Sequence, residues 1–272
     1  MKISFIGGGN MASALIGGLL AQGFKAESIA VVEIDAAARE RLVSAFRVTA
    51  HAQIDGSAVG DADVVVLAVK PQQMREVARL LAPHVARQLV VTIAAGVRLG
   101  DLSRWLAGYR KLVRVMPNTP ALIRAGISGL YALPEVTAAE REHAQKLLGA
   151  VGKTLWCARE DMLDAVTAVS GSGPAYVYYF LEALEAAARE LGFSATDART
   201  LVYETFAGAV QLAQQSSEEP AALRARVTSK GGTTERALAH MEATAVKANI
   251  VAAVKAADAR AKELGDCLGK ID

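Results

Sequence analysis

The stretch from Lys2 to Ala12 constrains the fold of this chain more than any other feature of its sequence. Residues Ile3–Ile6 form a short apolar run typical of a buried strand, and the glycines after it lead directly into an apolar helical pattern. Gly7 permits a tight turn, Gly9 leaves room for a pyrophosphate near the backbone, and the small Ala12 lets the helix pack closely on the strand. The free amides at the start of that helix would face the phosphates. The pattern predicts a dinucleotide-binding site, the alternative being an ordinary tight turn.

An acidic residue ends the second predicted strand. Residues 29–32 are apolar, and Glu33 follows them at about the distance from the glycines at which dinucleotide-binding domains carry a ribose-binding acid. A carboxylate there accepts hydrogen bonds from the adenosine ribose and repels a 2′-phosphate, which favours NADH over NADPH. The alternative is a surface glutamate, and the nearby Asp35, Arg39 and Arg41 could reverse the preference. The sequence leaves open whether the cofactor is NADPH or NADH.

Further apolar runs continue the alternation of strands and helices. They lie near residues 48–49 and at residues 63–69, 89–93, 112–116, 127–131 and 153–156. They predict the α/β fold class, with an N-terminal Rossmann-like doubly wound sheet of about eight strands and helices on both sides. Because such sheets bind ligands at the carboxyl ends of their strands, Ala68–Pro71 and Ala94–Gly96 should border the cofactor. Asn118 and Thr119, between two prolines, would close the substrate pocket or form only a turn.

The strand patterns end near Asp161. Alanine-rich helical patterns follow at residues 176–191, 194–214 and 243–264, and the spacing of Ser194 and Asp197 predicts a helix cap. This change of period predicts a boundary between a Rossmann domain at residues 1–159 and an all-α C-terminal domain at residues 160–272. Small residues and uncharged apolar stripes in these helices predict an oligomer interface.

Two motifs with glycines interrupt the helical half. Ser170–Pro174 lies between two helices and is either a plain helix breaker or a polar helix start in the substrate wall or a subunit contact. In the second motif, Gly231 and Gly232 free the backbone to curl, while Thr233 and Thr234 follow at the start of a short helix. Several amides and two hydroxyls would then converge and hold a carboxylate. The alternative is an ordinary threonine-capped helix.

Composition excludes several other functions. The net charge of +2, with acids and bases interspersed, offers no electrostatic surface for nucleic acid. No apolar run reaches the ~18 residues of a membrane span, and the first strand meets glycines too early for a signal peptide, so we expect no membrane contact and a cytoplasmic protein. Cys157 and Cys267 are predicted to be reduced thiols, and with scattered histidines we expect no metal site.

Five motifs, taken in order along nearly the whole chain, resemble those of pyrroline-5-carboxylate reductase. They are the glycine turn at Gly7, Ala68–Pro71, Met116–Pro120, Ser170–Pro174 and Gly231–Thr234. The resemblance implies reduction of the cyclic imine (S)-1-pyrroline-5-carboxylate to L-proline by NADPH or NADH, the last step of proline biosynthesis. It also implies a Rossmann domain joined to a helical substrate-binding and dimerisation domain, whose homodimers commonly assemble further into a decamer.

The resemblance also assigns site residues. The implied cofactor-binding residues are Ile6, Gly7, Gly8, Gly9, Asn10, Met11, Glu33, Asp35, Asp55, Ala68, Val69, Lys70, Pro71, Ile93 and Ala95. The implied substrate-binding residues are Glu160, Arg226, Gly231, Gly232, Thr233 and Thr234. Thr234 matches the catalytic threonine that hydrogen-bonds the ring nitrogen. This chain departs from the family at Glu33, where serine or asparagine is common, at Asp55, where asparagine is frequent, and at Lys230, where many members have proline.

Two other functions are compatible with a dinucleotide-binding fold. A β-hydroxyacid dehydrogenase shares the two-domain plan but needs a lysine and an asparagine after its glycine pair, and Val177 and Phe180 stand at those positions here. The chain therefore lacks the base for alcohol oxidation. A non-catalytic dinucleotide-binding protein is the alternative of another class.

Overall fold

A computed structural model of the chain describes residues 1–270, and a single sheet organises its first part. The described residues contain an eight-stranded sheet in the order β3-β2-β1-β4-β5-β6-β7-β8. The strands are β1 Ile3–Ile6, β2 Ile29–Val32, β3 Thr49–His51, β4 Val64–Leu67, β5 Leu89–Thr92, β6 Leu112–Met116, β7 Gly126–Ala132 and β8 Gly152–Trp156. The β6–β7 pair is antiparallel and the other pairs are parallel. The predicted α/β class and Rossmann-like sheet are confirmed.

Helices cover both faces of the sheet. They are α1 Asn10–Ala21, α2 Ala36–Phe46, α3 Gly56–Val59, α4 Met74–Leu81, α5 Leu99–Trp105, α6 Ala138–Gly149 and α7 Met162–Val166. On one face, Leu15 of α1 and Leu147 of α6 pack in a buried cluster with alternate residues of the strands. On the other face, Leu81 of α4 and Leu102 of α5 do the same. The central strand β4 is apolar throughout because both of its faces are buried in this way.

The rest of the described chain is helical. The helices are α8 Gly173–Glu190, α9 Ala195–Gln215, α10 Pro220–Arg226, α11 Thr233–Ala243 and α12 Val246–Gly269. Ser194 caps α9 by accepting a hydrogen bond from the Asp197 amide at 3.1 Å, as its spacing predicted. The helix predicted from residue 243 begins three residues later, because α11 ends at Ala243 and Ala245 has a left-handed φ of 55°.

The Ser170–Pro174 motif lies at the junction of two helices. A π-helical turn, Thr167–Gly171, follows α7, and α8 begins at Gly173, which places Pro174 in its first turn. Gly171 lies against β6, since a Cβ atom there would be 2.5 Å from Cε of Met116. The motif thus allows close packing of the helix junction on the sheet.

The chain forms two compact units. The first contains Met1–Ser172 and the C-terminal residues from Ala257, and the second contains Gly173–Ala256. This division comes later in the chain than the boundary after residue 159 that the change of pattern predicted. The reason is that α7 packs on the sheet: a Cβ atom on Gly129 of β7 would lie 2.8 Å from Val166 of α7. Helix α12 begins in the second unit and ends in the first.

Candidate functional site

The turn after β1 has the geometry of an anion-binding helix start. Gly7 has a φ of 98°, its amide donates to the Val32 carbonyl at 2.8 Å, and a Cβ atom there would be 2.8 Å from the Ala68 carbonyl oxygen. Gly9 precedes α1 without a side-chain cap, and the first turn of α1 contains no acidic residue. The free amides and the positive end of the helix dipole are therefore available to a phosphate.

A cleft of about 410 Å³ opens at this turn, over the carboxyl ends of β1, β2 and β4. It is lined by eight of the residues predicted to bind the cofactor: Ile6, Gly7, Gly8, Gly9, Glu33, Ala68, Val69 and Lys70. Asn10 and Met11 begin α1 beside it, and Pro71 begins the 3-10 turn that follows Lys70. Its position at the carboxyl ends of parallel strands is where doubly wound sheets bind nucleotides.

Glu33 lies in this cleft and touches the glycine turn directly. Its Oε2 accepts a hydrogen bond from the Gly8 amide at 2.9 Å, and its Oε1 accepts one from the Asp35 amide at 3.1 Å. One cation lies close by, since Nη1 of Arg39 donates to the carbonyl oxygens of Glu33 and Ile34 at 2.7 and 2.9 Å. The end of β2 thus presents the Glu33 carboxylate to the cleft, and the Arg39 guanidinium lies beside this strand end on two backbone carbonyls.

Asp35 and Asp55 act locally as helix caps. Asp35 accepts from the Ala38 amide at 2.7 Å at the start of α2. Asp55 accepts from the amides of Ser57 and Ala58 at 2.9 and 3.0 Å at the start of α3. The Ser57 hydroxyl hydrogen bond, followed by the Ala58 amide, lowers the pKa of Asp55. Both side chains shape the loops beside the cleft through backbone contacts.

Ile93 and Ala95 lie in the loop that leaves β5. Ala94 between them is buried, and its amide donates to the Thr92 hydroxyl at 3.3 Å. Gly96 has a φ of 77°, so this position favours glycine. The loop lies on the β4–β5 side of the glycine turn, across the sheet from Glu33.

The sequence motifs did not predict the apolar walls of the cleft. Ile34 is 80% exposed and Leu80 is 56% exposed, and both line the cleft with Ile54 and Val77. Exposed apolar surface of this kind suits a flat base such as adenine. An isoleucine between two acids at the end of β2 was the one sign of it in the sequence.

In the second unit, the predicted carboxylate-binding residues begin α11. Thr233 and Thr234 are its first two residues, and their amides form no hydrogen bond within the described part of the chain. The Gly231 amide donates to Oε2 of Glu235 at 2.6 Å, and the Gly232 amide donates to the Ser229 carbonyl at 3.0 Å. The amides open to a ligand here are therefore those of the two threonines, and Gly232 serves the turn that presents them.

The two remaining predicted substrate residues both form ion pairs. Arg226, in the second unit, pairs with Glu218. Glu160, in the first unit, accepts from Nη1 of Arg114 at 3.3 Å and from the Leu99 amide at 2.7 Å. The sequence motifs did not predict a role for Arg114 and Asp164. Their side chains are 3% and 4% exposed, and Nη2 of Arg114 lies 2.9 Å from Oδ1 of Asp164. An arginine within an apolar strand pattern was the available indication.

Cys157 and Cys267 are free, and burial raises the pKa of the Cys157 thiol. Across residues 1–270, no three histidine, cysteine or acidic side chains are grouped as metal ligands, and none of the helices has the length and apolar character of a membrane span.

Comparison with known proteins gives one consistent result. Residues 160–264 match the family model for pyrroline-5-carboxylate reductase dimerisation, and residues 2–96 match the model for coenzyme F420-dependent NADP oxidoreductase. The chain is 48% identical over 270 residues to pyrroline-5-carboxylate reductase of Pseudomonas aeruginosa, covering 99% of this chain and 98% of that protein.

Solved structures agree with the sequence comparison. A pyrroline-5-carboxylate reductase from Coxiella burnetii superposes with a TM-score of 0.91 at 38% identity, covering 97% of this chain and 98% of that one. The Plasmodium falciparum pyrroline carboxylate reductase, solved with NADP bound, gives a TM-score of 0.86 at 27% identity, with the same coverage of both chains.

Proposed function

Because this chain belongs to the pyrroline-5-carboxylate reductase family, we propose that it reduces (S)-1-pyrroline-5-carboxylate to L-proline with NADPH or NADH, the last step of proline biosynthesis. The observation that carries the proposal is the 48% identity with the Pseudomonas aeruginosa enzyme over nearly all of both chains. The cleft at the Gly7 turn supports it, because a hydride-transfer enzyme of this kind needs a dinucleotide site.

The reaction requires little acid–base catalysis from the protein. When bound, a reduced nicotinamide would supply a hydride to the imine carbon, and the electron pair of the C=N bond would go to the protonated imine nitrogen. The Thr233 and Thr234 amides hold the substrate carboxylate at the start of α11, and Oγ1 of Thr234 hydrogen-bonds the ring nitrogen. Glu160 and Arg226 are the other proposed substrate contacts. Amides and hydroxyls are sufficient because the protonated imine is already electrophilic.

The cofactor residues divide between the two ends of the dinucleotide. The free amides from Gly9 to Met11 would hold the pyrophosphate, and Ile34 and Leu80 would enclose the adenine. Asp35 and Asp55 act by fixing the neighbouring loops. Glu33 favours NADH, since its carboxylate lies where a 2′-phosphate would be repelled, and Arg39 is the group that would attract that phosphate.

The chain forms a homo-oligomer, as its dimerisation region implies. We assign residues 1–159 to NAD(P) binding and residues 160–272 to substrate binding and dimerisation, and we propose that homodimers assemble into a decamer in the cytoplasm. An apolar groove of about 290 Å³ between α8 and α12, lined by Tyr179, Phe180 and Ile250 among others, supports burial of this surface by a second copy. Light scattering after size exclusion measures the number of subunits.

A steady-state assay tests the function. Purified protein is mixed with the pyrroline and either reduced cofactor, and loss of nicotinamide absorbance and formation of proline are followed together. Equal amounts of oxidised cofactor and proline are expected. Cofactor binding without oxidation would identify a non-catalytic dinucleotide-binding protein and contradict the proposal.

A further inference from the structure

A buried arginine joins two structural elements beside the loop after β5. Arg114 of β6 donates from Nη2 to Asp164 Oδ1 at 2.9 Å and from Nη1 to Glu160 Oε1 at 3.3 Å. We call these three residues the Arg114 cluster. A buried ion pair commonly adds little stability over apolar side chains of the same volume. The cluster therefore calls for an explanation other than stability.

Glu160 extends the cluster to the backbone of α5. The same Oε1 atom that accepts from Arg114 also accepts from the Leu99 amide at 2.7 Å. Leu99 is the first residue of α5, and Arg98 before it offers no side-chain cap. Glu160 thus satisfies one of the free amides at this helix start from a distant part of the chain. Because Arg114 holds the Glu160 carboxylate in place, the position of Arg114 also determines where α5 begins.

The segment fixed in this way is the loop of residues 93–98. Its first end leaves β5 directly beside the cluster, since Thr92 and Arg114 are paired neighbours in the sheet. Its other end is anchored by Arg98, whose Nη1 lies 2.7 Å from Asp266. Gly96, in the middle of the loop, packs against the end of α12, where a Cβ atom on Gly96 would be 3.0 Å from Leu268. The path of the loop is therefore set by contacts outside the cofactor cleft.

The sheet order places this loop at one particular end of the cofactor. Glu33 at the end of β2 marks the adenosine side, and the strand order β2-β1-β4-β5 puts residues 93–98 on the opposite side of the Gly7 turn. A dinucleotide lying across the turn thus brings its nicotinamide half to Ile93 and Ala95.

We propose that Arg114 is a positioning residue that sets the loop of residues 93–98 against the nicotinamide half of the cofactor. It acts through the Glu160 carboxylate and the Leu99 amide and touches neither cofactor nor substrate. The proposal rests on the proposed reductase function, in which the nicotinamide must be held against the imine.

The test compares two ligands that differ only in the nicotinamide half. Isothermal titration calorimetry measures the Kd of NADH and of ADP-ribose, which lacks the nicotinamide, for the wild type and for Arg114→Lys. Lysine keeps the charge but cannot reach both carboxylates as the forked guanidinium does. We expect the Kd of NADH to rise about tenfold and that of ADP-ribose to stay within about twofold, because only the loop is displaced.

Arg110→Lys is the matched control. Arg110 precedes the same strand and forms an exposed pair with Glu135 at 2.9 Å, away from the loop. Both Kd values should remain at the wild-type level, since exposed pairs contribute little. If the ratio of the two Kd values in Arg114→Lys equals that of the wild type, the proposal is overturned. This holds whether neither Kd changes or both rise by the same factor.

A second variant keeps the test decisive if Arg114→Lys does not fold. Glu160→Leu removes the acceptor for the Leu99 amide and leaves Arg114 paired with Asp164. The same selective loss of NADH affinity is expected, and its absence would refute the positioning role. These titrations contain no imine. A wild type that binds NADH but makes no proline would defeat the reductase function and still leave the role of Arg114 measurable.

Discussion

Replacing Glu33 by serine should shift the cofactor preference toward NADPH. The carboxylate is half-buried at the cleft, where it accepts hydrogen bonds from the Gly8 and Asp35 amides at 2.9 and 3.1 Å. A 2′-phosphate on a ribose bound there would lie close to it. Serine removes the negative charge, and Arg39 remains at the end of β2 to attract the phosphate.

The size of the shift follows from the charges. At about 5 Å, a phosphate of charge about −2 and a carboxylate repel by about 1.7 kcal/mol at the dielectric constant of water and by about 6.6 kcal/mol at an effective value of 20. Because the cleft is open to solvent and salt, the lower figure applies. The ratio of kcat/KM for NADPH to that for NADH should therefore rise at least about tenfold, since about 1.4 kcal/mol corresponds to a factor of ten.

Steady-state kinetics with both cofactors at saturating pyrroline give the two specificity constants. Glu40→Ser is the matched control, because it removes the same charge from an exposed position on α2 that lies outside the cleft lining. It should leave the ratio close to that of the wild type. A ratio unchanged in Glu33→Ser would show that this carboxylate does not face the ribose, and equal shifts in both variants would indicate a general charge effect.

Three further predictions concern the two binding sites and the loops beside them. Thr234→Ala should lower kcat by roughly ten- to a hundredfold, with Thr234→Ser retaining most of it, because one hydrogen bond to the reacting nitrogen is lost; an unchanged rate removes Thr234 from the mechanism. Gly7→Ala should lower the Tm and weaken NADH binding, because the added Cβ would lie 2.8 Å from the Ala68 carbonyl oxygen. Gly9→Ala should weaken NADH binding at an unchanged Tm, because its Cβ would meet no described atom within 4 Å. Equal losses of Tm in the two variants would contradict this prediction. The folded-state pKa of Asp55 is lowered, so its stabilising contribution is present above the unfolded pKa of about 3.9 and is lost as pH falls through the folded value. Urea unfolding should therefore show that the wild type exceeds Asp55→Asn in stability at neutral pH and that this difference shrinks in acid; a constant difference would refute the role of the charge.

The sequence by itself determined the local structure of this protein. The Gly7 turn, the buried parallel strands and the capped start of α9 all depend on residues that are close together in the chain, so periodicity and capping rules predict them. The glycine turn of the dinucleotide site could also be predicted from the sequence, because the strand, the turn and the helix that form it are consecutive in the chain.

Tertiary structure decided which distant residues meet. The Ile34 and Leu80 side chains form one apolar wall because β2 and α4 reach the same cleft, and Glu160 caps α5 because α7 packs on β6. The return of α12 to the first unit, where Asp266 binds Arg98, is a contact of the same kind. Such pairings depend on how the helices and strands pack in three dimensions, since sequence spacing carries no information about neighbours more than a few turns of chain apart.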